Sequence, residues 1–293
     1  MHVPETLEPF LESFVHVPET PSPKLLFVNR GARTERKCGS VRRTFACFSS
    51  QITEDHGLGA RRGVQGGEWM PVHLLEQNVV IAANQLNPSI FSQLWLARTG
   101  LVREEEFAGG CIYADGVSNT IAREFALLVI PPRLQFSPRV AQGRDADLVR
   151  EKVGRILELL PQTPYTAMGF NFHWCLVPPD GNLSLLTRQL FYQENRPVFA
   201  AFDCPDAAFG TYLSKDALGM RLRLDVKPTV VESELFRGSG VLFQFNFNRN
   251  LLTPQNAAAP DVVVQAQEVL QLWPRAKETA ADLVRTCVGA LPP

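Results

Sequence analysis

The fold class is decided by one stretch of the chain, YTAMGFNFHWCLV at residues 165–177. Phe170, Phe172 and Trp174 recur at every second position of this stretch, with polar residues between them. Because alternate side chains of a β-strand point to the same face, the spacing predicts a strand with one aromatic face and one polar face. Such a strand belongs in a sheet whose aromatic face is buried under other elements.

Five predicted elements precede this strand. They are strands over 77–84, 107–114 and 121–130, and helices over 87–100 and 145–160. Together with the strand over 165–177 they follow the order βαββαβ, which is the order of ferredoxin-like folds. We therefore predict an α+β protein with a mixed or antiparallel sheet and helices mainly on one face.

The second half of the chain has a less regular pattern but ends in a long helix. We predict a helix over 183–193, strands over 198–202, 209–213, 218–231 and 241–250, and a helix over 261–287. Pro274 lies inside the last helix. It should kink that helix or divide it in two, because proline has no backbone N–H to donate.

A short motif occurs twice, 75 positions apart. Phe170-Asn171-Phe172 is matched by Phe245-Asn246-Phe247, and each copy lies in a predicted strand. One hypothesis is that the domain over 70–293 consists of two related halves, 70–180 and 181–293. The alternative is that two unrelated strands use similar β-forming residues.

Residues 1–69 differ in composition from the rest of the chain. Prolines are frequent, and residues 30–43 carry six Arg and Lys residues against one acid. This composition is typical of a disordered extension. Three hypotheses follow: an extension without function, a basic arm that binds nucleic acid or an acidic partner, or a protein that in truth starts at Met70.

Charge and cysteine content exclude several classes of protein. Lys and Arg number 29 and Asp and Glu 30, so a net charge of -1 argues against a mainly electrostatic grip on nucleic acid or membrane. No stretch supplies the roughly 20 apolar residues of a membrane helix. Six scattered cysteines without a CxxC pair favour reduced thiols and a cytoplasmic protein.

The candidates for chemistry are few. His173 and Cys175 share one face of the strand over 165–177, and together with Cys204 they are the candidate residues of an uncharacterised enzyme. The alternative is a hydrogen-bonded histidine beside an inert thiol. Phosphate-binding glycine loops and paired metal-ligand motifs do not occur, so we predict neither a cofactor nor a metal.

The last helix supplies a candidate binding surface. Its apolar stripe includes Trp273, Ala276, Ala280 and Leu283, which would form a seam with a partner helix or instead pack on the chain's own sheet. We predict a non-enzymatic interaction or assembly module that binds a protein partner or itself. An enzyme with a Cys/His-containing site and a nucleic-acid binder that uses residues 30–43 are the alternatives.

Overall fold

The described part of the chain forms a nine-stranded sheet. The structure is a computed structural model and describes residues 71–141, 143–178, 181–232, 237–251, 259–289 and 291. The strands are β1 (Val72–Ala83), β2 (Ile112–Ala114), β3 (Val117–Ile121), β4 (Phe125–Ile130), β5 (Arg133–Pro138), β6 (Tyr165–Leu176), β7 (Thr211–Ala217), β8 (Met220–Glu232) and β9 (Arg237–Asn250). They follow the order β2-β3-β4-β5-β1-β6-β9-β8-β7, and every neighbouring pair is antiparallel.

Six α-helices accompany the sheet in the described residues, so the α+β class is confirmed. They are α1 (Gln93–Arg98), α2 (Asp145–Leu159), α3 (Leu183–Phe191), α4 (Pro197–Ala200), α5 (Ala259–Leu270) and α6 (Trp273–Gly289). The predicted break near Pro274 is confirmed, because α5 ends at Leu270 and α6 begins at Trp273. Pro274 occupies the first turn of α6, where its missing N–H costs no helical hydrogen bond.

The ferredoxin-like order is not confirmed. Four strands, rather than two, lie between α1 and α2, and β1 pairs antiparallel with both β5 and β6. The stretch predicted as one strand over 121–130 turns between Ile121 and Phe125. A bridge between Phe107 and Ala122 anchors that turn, so the chain folds back into two strands.

The predicted strand over 198–202 is wrong, because that stretch contains the short helix α4. Pro197 occupies the first helical position, which suits its fixed φ. Phe199 packs its ring against Tyr192 and Phe209. Local aromatic packing therefore overrides the β propensity of the sequence.

The core lies between the aromatic face of the sheet and α6. Trp273 is fully buried, and its ring centroid lies 5.3 Å from that of Phe170 and 4.8 Å from that of Phe172. Its Nε1 donates a 2.8 Å hydrogen bond to Asp145, which also pairs with Lys277 at 3.0 Å. These contacts position α6 on the sheet, but a helix layer mainly on one face of the whole sheet is not confirmed.

The two Phe-Asn-Phe motifs lie side by side in the centre of the sheet. Asn171 pairs with Asn246, and the flanking phenylalanines pair across the same two strands. The helix that follows β6, α3, packs on β9, and α5, which follows β9, packs on β6. This arrangement is what two related halves would produce, and duplication stays a prediction. Residues 1–69 lie outside the described part of the chain.

Candidate functional site

The first candidate site is a carboxylate–histidine pair on the polar face of β1 and β6. Glu76 Oε2 lies 3.1 Å from His173 Nδ1, and both side chains are half-buried. Glu76 lies opposite His173 in the register that continues unbroken to the pair Ala82–Ala167, and a bulge at Leu75 shifts only the pairing of Val72–Leu74. Because directly opposite residues of an antiparallel pair point to the same face, the two side chains meet.

A ladder of three asparagines runs from this pair across the sheet. Asn78 donates to Glu76 at 2.7 Å, Asn171 donates to Asn78 at 2.8 Å, and Asn246 donates to Asn171 at 2.7 Å. All three amides donate towards Glu76, so the carboxylate terminates a directional chain of hydrogen bonds. Aligned hydrogen bonds polarise one another and hold the carboxylate in one position.

Electrostatics favour an ionised Glu76. Burial opposes ionisation, but the hydrogen bond and charge of His173, with the hydrogen bond from Asn78, lower the pKa of the carboxyl below 4.5. Among the described contacts His173 Nε2 has no hydrogen-bond partner. The pair can therefore accept or donate a proton at Nε2 while Glu76 orients the ring.

Cys175 shares the strand with His173 but does not join the pair. Its side chain is fully buried, and burial raises the pKa of the thiol to about 12. It borders Gly240 of β9, where an added Cβ would meet the sulfur. A thiol that stays protonated at neutral pH and is closed to solvent is a poor nucleophile.

Cys204 lies in a separate, exposed loop after α4. Arg188 of α3 holds this loop with a 2.7 Å bond to Asp203 and a 3.0 Å bond to the carbonyl of Cys204. The hydrogen bond with Asp206, together with desolvation, raises the pKa of the Cys204 thiol. No described contact joins Cys204 to His173 or Cys175, so the three candidate catalytic residues do not meet in one constellation.

The predicted helix seam lies against the chain's own sheet. Trp273, Ala276 and Ala280 are fully buried in the core, and Leu283 packs against it. The small side chains let α6 approach β6 and β9, which it contacts. These residues thus follow the intrachain alternative that the sequence left open.

The second candidate site is the open edge of β7, the last strand of the sheet. Leu218 and Gly219 form the two-residue turn to β8 with φ of 57° and 69°, the type I′ geometry of tight hairpins. In such a hairpin the flanking residues, Ala217 and Met220, form a hydrogen-bonded pair. Hydrogen-bonded and non-hydrogen-bonded pairs then alternate along the strands.

This alternation decides which backbone groups of β7 are open. Three residues direct their N–H and C=O groups away from β8, namely Tyr212, Ser214 and Asp216. Within the described residues no backbone hydrogen bond joins this edge to another segment. Residues 212–216 are all exposed, so a row of unpaired donors and acceptors faces outwards.

Apolar side chains are exposed beside this edge. Tyr212 is 61% exposed and Leu213 54%, on opposite faces of the strand. Val198 and Phe202, in and just after α4, are each 63% exposed. The Phe199–Phe209 contact places α4 next to the residue that lies two positions before β7.

Comparison with known proteins assigns no activity to either site. No protein-family model matches the sequence, and a search of curated proteins finds no match. In the described ranges no three His, Cys, Asp or Glu side chains are grouped to hold a metal ion. No helix of the same ranges has the length and apolar composition to cross a membrane. The basic stretch 30–43 lies outside them.

Sequence reasoning missed Glu76 and residues 214–216 of β7. The predicted first strand began at residue 77, whereas β1 begins at Val72 and so includes Glu76. The predicted strand over 209–213 stopped before the charged residues Lys215 and Asp216. The available signal was Gly219, since a glycine favours the left-handed conformation of a hairpin turn.

Proposed function

We propose that the chain is a non-enzymatic interaction or assembly module and that its binding element is the edge of β7. A protein partner adds a strand to this edge, so that backbone hydrogen bonds supply affinity and neighbouring side chains supply specificity. We also propose a cytoplasmic location, because Cys111, Cys175, Cys204 and Cys287 are free thiols.

One observation carries this proposal, namely a seven-residue end strand whose outer edge is exposed with its apolar side chains. Natural sheets usually protect such edges with very short strands, charged side chains, bulges, prolines or a covering segment, and of these β7 has the charges of Lys215 and Asp216 at one end. The opposite end of the sheet follows that rule, since β2 has only three residues. Both end strands expose apolar side chains, Ile112 and Tyr113 on β2 and Tyr212 and Leu213 on β7, but the longer β7 offers more outward backbone groups and is the better docking edge.

The test compares two substitutions at Ser214 in the full chain. Ser214→Pro removes the outward N–H and leaves the β7–β8 ladder intact, whereas Ser214→Ala keeps the N–H and serves as the matched control. We expect tagged wild type and S214A, purified from native cells, to retain the same stoichiometric protein, either a different protein or a second copy of the chain, and S214P to lose it. Equal retention by S214P, or a wild type that is monomeric and carries nothing, would refute the proposal.

The Glu76–His173 pair supports a second candidate function, acid–base catalysis. The supporting observation is the orientation of His173 by a carboxylate that a ladder of amides holds in place. An activity found for this chain should then be lost in His173→Gln without loss of folding. Retention of that activity in H173Q would remove the pair from the reaction.

A further inference from the structure

We infer that the occupant of the β7 edge is a second copy of this chain, paired antiparallel about Ser214. This inference rests on the proposed function and specifies its partner. Two β7 strands related by a two-fold axis through Ser214 place Ser214 opposite Ser214 of the second copy. Tyr212 then lies opposite Asp216 of that copy, so every outward-facing residue meets another outward-facing residue and exchanges two hydrogen bonds with it.

Neighbouring registers satisfy fewer groups. Side chains stay on matching faces only if the register shifts by an even number of residues. A two-fold axis at Leu213 leaves the outward groups of Asp216 without a partner. An axis at Lys215 places two lysines directly opposite each other, which destabilises a strand pair. The register about Ser214 is therefore the most complementary of the three.

Side chains support the same register on both faces. On one face Leu213 lies opposite Lys215 of the second copy, whose aliphatic stem covers it while the ammonium stays in water. On the other face the Tyr212 hydroxyl meets the Asp216 carboxylate, which also has an ion pair with Arg221 at 3.2 Å in its own chain. In the dimer the exposed apolar side chains of β7 are thus covered by β7 of the second copy.

Charge does not oppose the association of two copies. The whole chain has a net charge of -1, so the repulsion between two copies is weak. No like-charged side chains of β7 lie directly opposite each other in the Ser214 register. A two-fold symmetric interface of this kind closes after two chains and does not propagate.

The first experiment measures the mass of the purified full chain over a range of concentrations by light scattering. We expect wild type and S214A to reach twice the chain mass of 32.6 kDa. In S214P the dissociation constant should rise by about a hundredfold, because the substitution is present in both copies and two N–H···O bonds are lost. Thermal unfolding of the same samples shows whether S214P remains folded.

The second experiment tests the register and does not depend on S214P. In the Ser214 register the two Ser214 Cα atoms lie about 5.5 Å apart, within the range of a disulfide. Under a mild oxidant S214C should therefore form a covalent dimer, whereas L213C and the wild type should not. Cross-linking of L213C in place of S214C would overturn the register.

The outcomes separate this inference from the proposed function. A wild type that stays monomeric, while S214P loses a different protein partner that S214A retains, overturns the second copy as occupant and leaves the edge as a binding element. A monomer that carries no partner overturns both. A dimer whose dissociation constant is unchanged in folded S214P overturns the second copy as occupant, because the chains then associate through another surface; it overturns the proposed function as well if S214P also retains every other protein that S214A retains.

Discussion

The centre of the sheet and its β7 end differ in whether their polar groups are hydrogen-bonded. At the centre Asn78, Asn171 and Asn246 satisfy one another across three strands, and the opposite face packs aromatic rings against α6. At the β7 end, backbone donors and acceptors are open and Tyr212 and Leu213 are exposed. The centre therefore stabilises the fold, whereas the β7 end leaves hydrogen-bonding groups and apolar side chains exposed.

The largest effect should come from Trp273→Ala at the centre. The substitution opens a cavity beside Phe170 and Phe172 and removes the donor to the buried Asp145. We expect the free energy of unfolding to fall by about 3–5 kcal/mol, measured by denaturant titration. The control Trp273→Phe keeps an aromatic ring but loses the donor and part of the ring volume, so it should cost less than W273A. An unchanged midpoint for W273A would show that α6 does not stabilise the sheet.

Next in size is Asn171→Ala, which breaks the ladder in its middle. It removes one bond to Asn78 and one from Asn246, and should cost about 1–3 kcal/mol of unfolding free energy. Asn248→Ala is the control. Asn248 lies on the same face of β9 as Asn246, but its side chain makes no described hydrogen bond. Equal costs for the two variants would argue against a stabilising ladder.

A smaller effect is expected from Glu76→Gln, and it depends on pH. The folded-state pKa of Glu76 lies below 4.5, so its ionised form stabilises the fold above that pH and the contribution is lost as the pH falls through the folded-state pKa. Near neutral pH the free energy of unfolding of wild type should exceed that of E76Q by about 1 kcal/mol. Unfolding titrations at several pH values should show this difference shrinking below pH 4.5. A constant difference would mean that the Glu76 charge is not its source.

The smallest effect on folding should come from Leu213→Ser at the β7 end. The side chain is half-exposed, so the free energy of unfolding should change by no more than about 0.5 kcal/mol. The same substitution should weaken self-association in sedimentation velocity experiments, because it removes the apolar group that Lys215 of the second copy covers. A large loss of stability without a loss of association would show that Leu213 stabilises the fold and not the contact between two copies.

The sequence predicted the centre far better than the end. Period-two aromatics marked β6 and β9, and both strands occupy the middle of the sheet. Strands buried under helices carry such a pattern because one face must be apolar along its whole length. The break at Pro274 was predictable for the same kind of reason, since proline has one strong local effect.

The sites were not predictable, because each depends on tertiary placement. Glu76 reaches His173 only because β1 aligns with β6 in one register, and no local pattern of either strand sets that alignment. Cys175 and His173 share a face, but the thiol is buried beside Gly240, which lies on a strand 65 residues further along the chain. The edge position of β7 follows from the order of all nine strands, which no local pattern encodes.

Amide hydrogen exchange along β7 distinguishes an open strand edge from one paired with a second copy. In dilute solution the amides of Tyr212, Ser214 and Asp216 should exchange rapidly, while those of Leu213 and Lys215, which point to β8, stay protected. At concentrations where the chain associates, the first three amides should become protected as well. If they exchange at the same rate in both conditions although the chain has associated, β7 is not the interface.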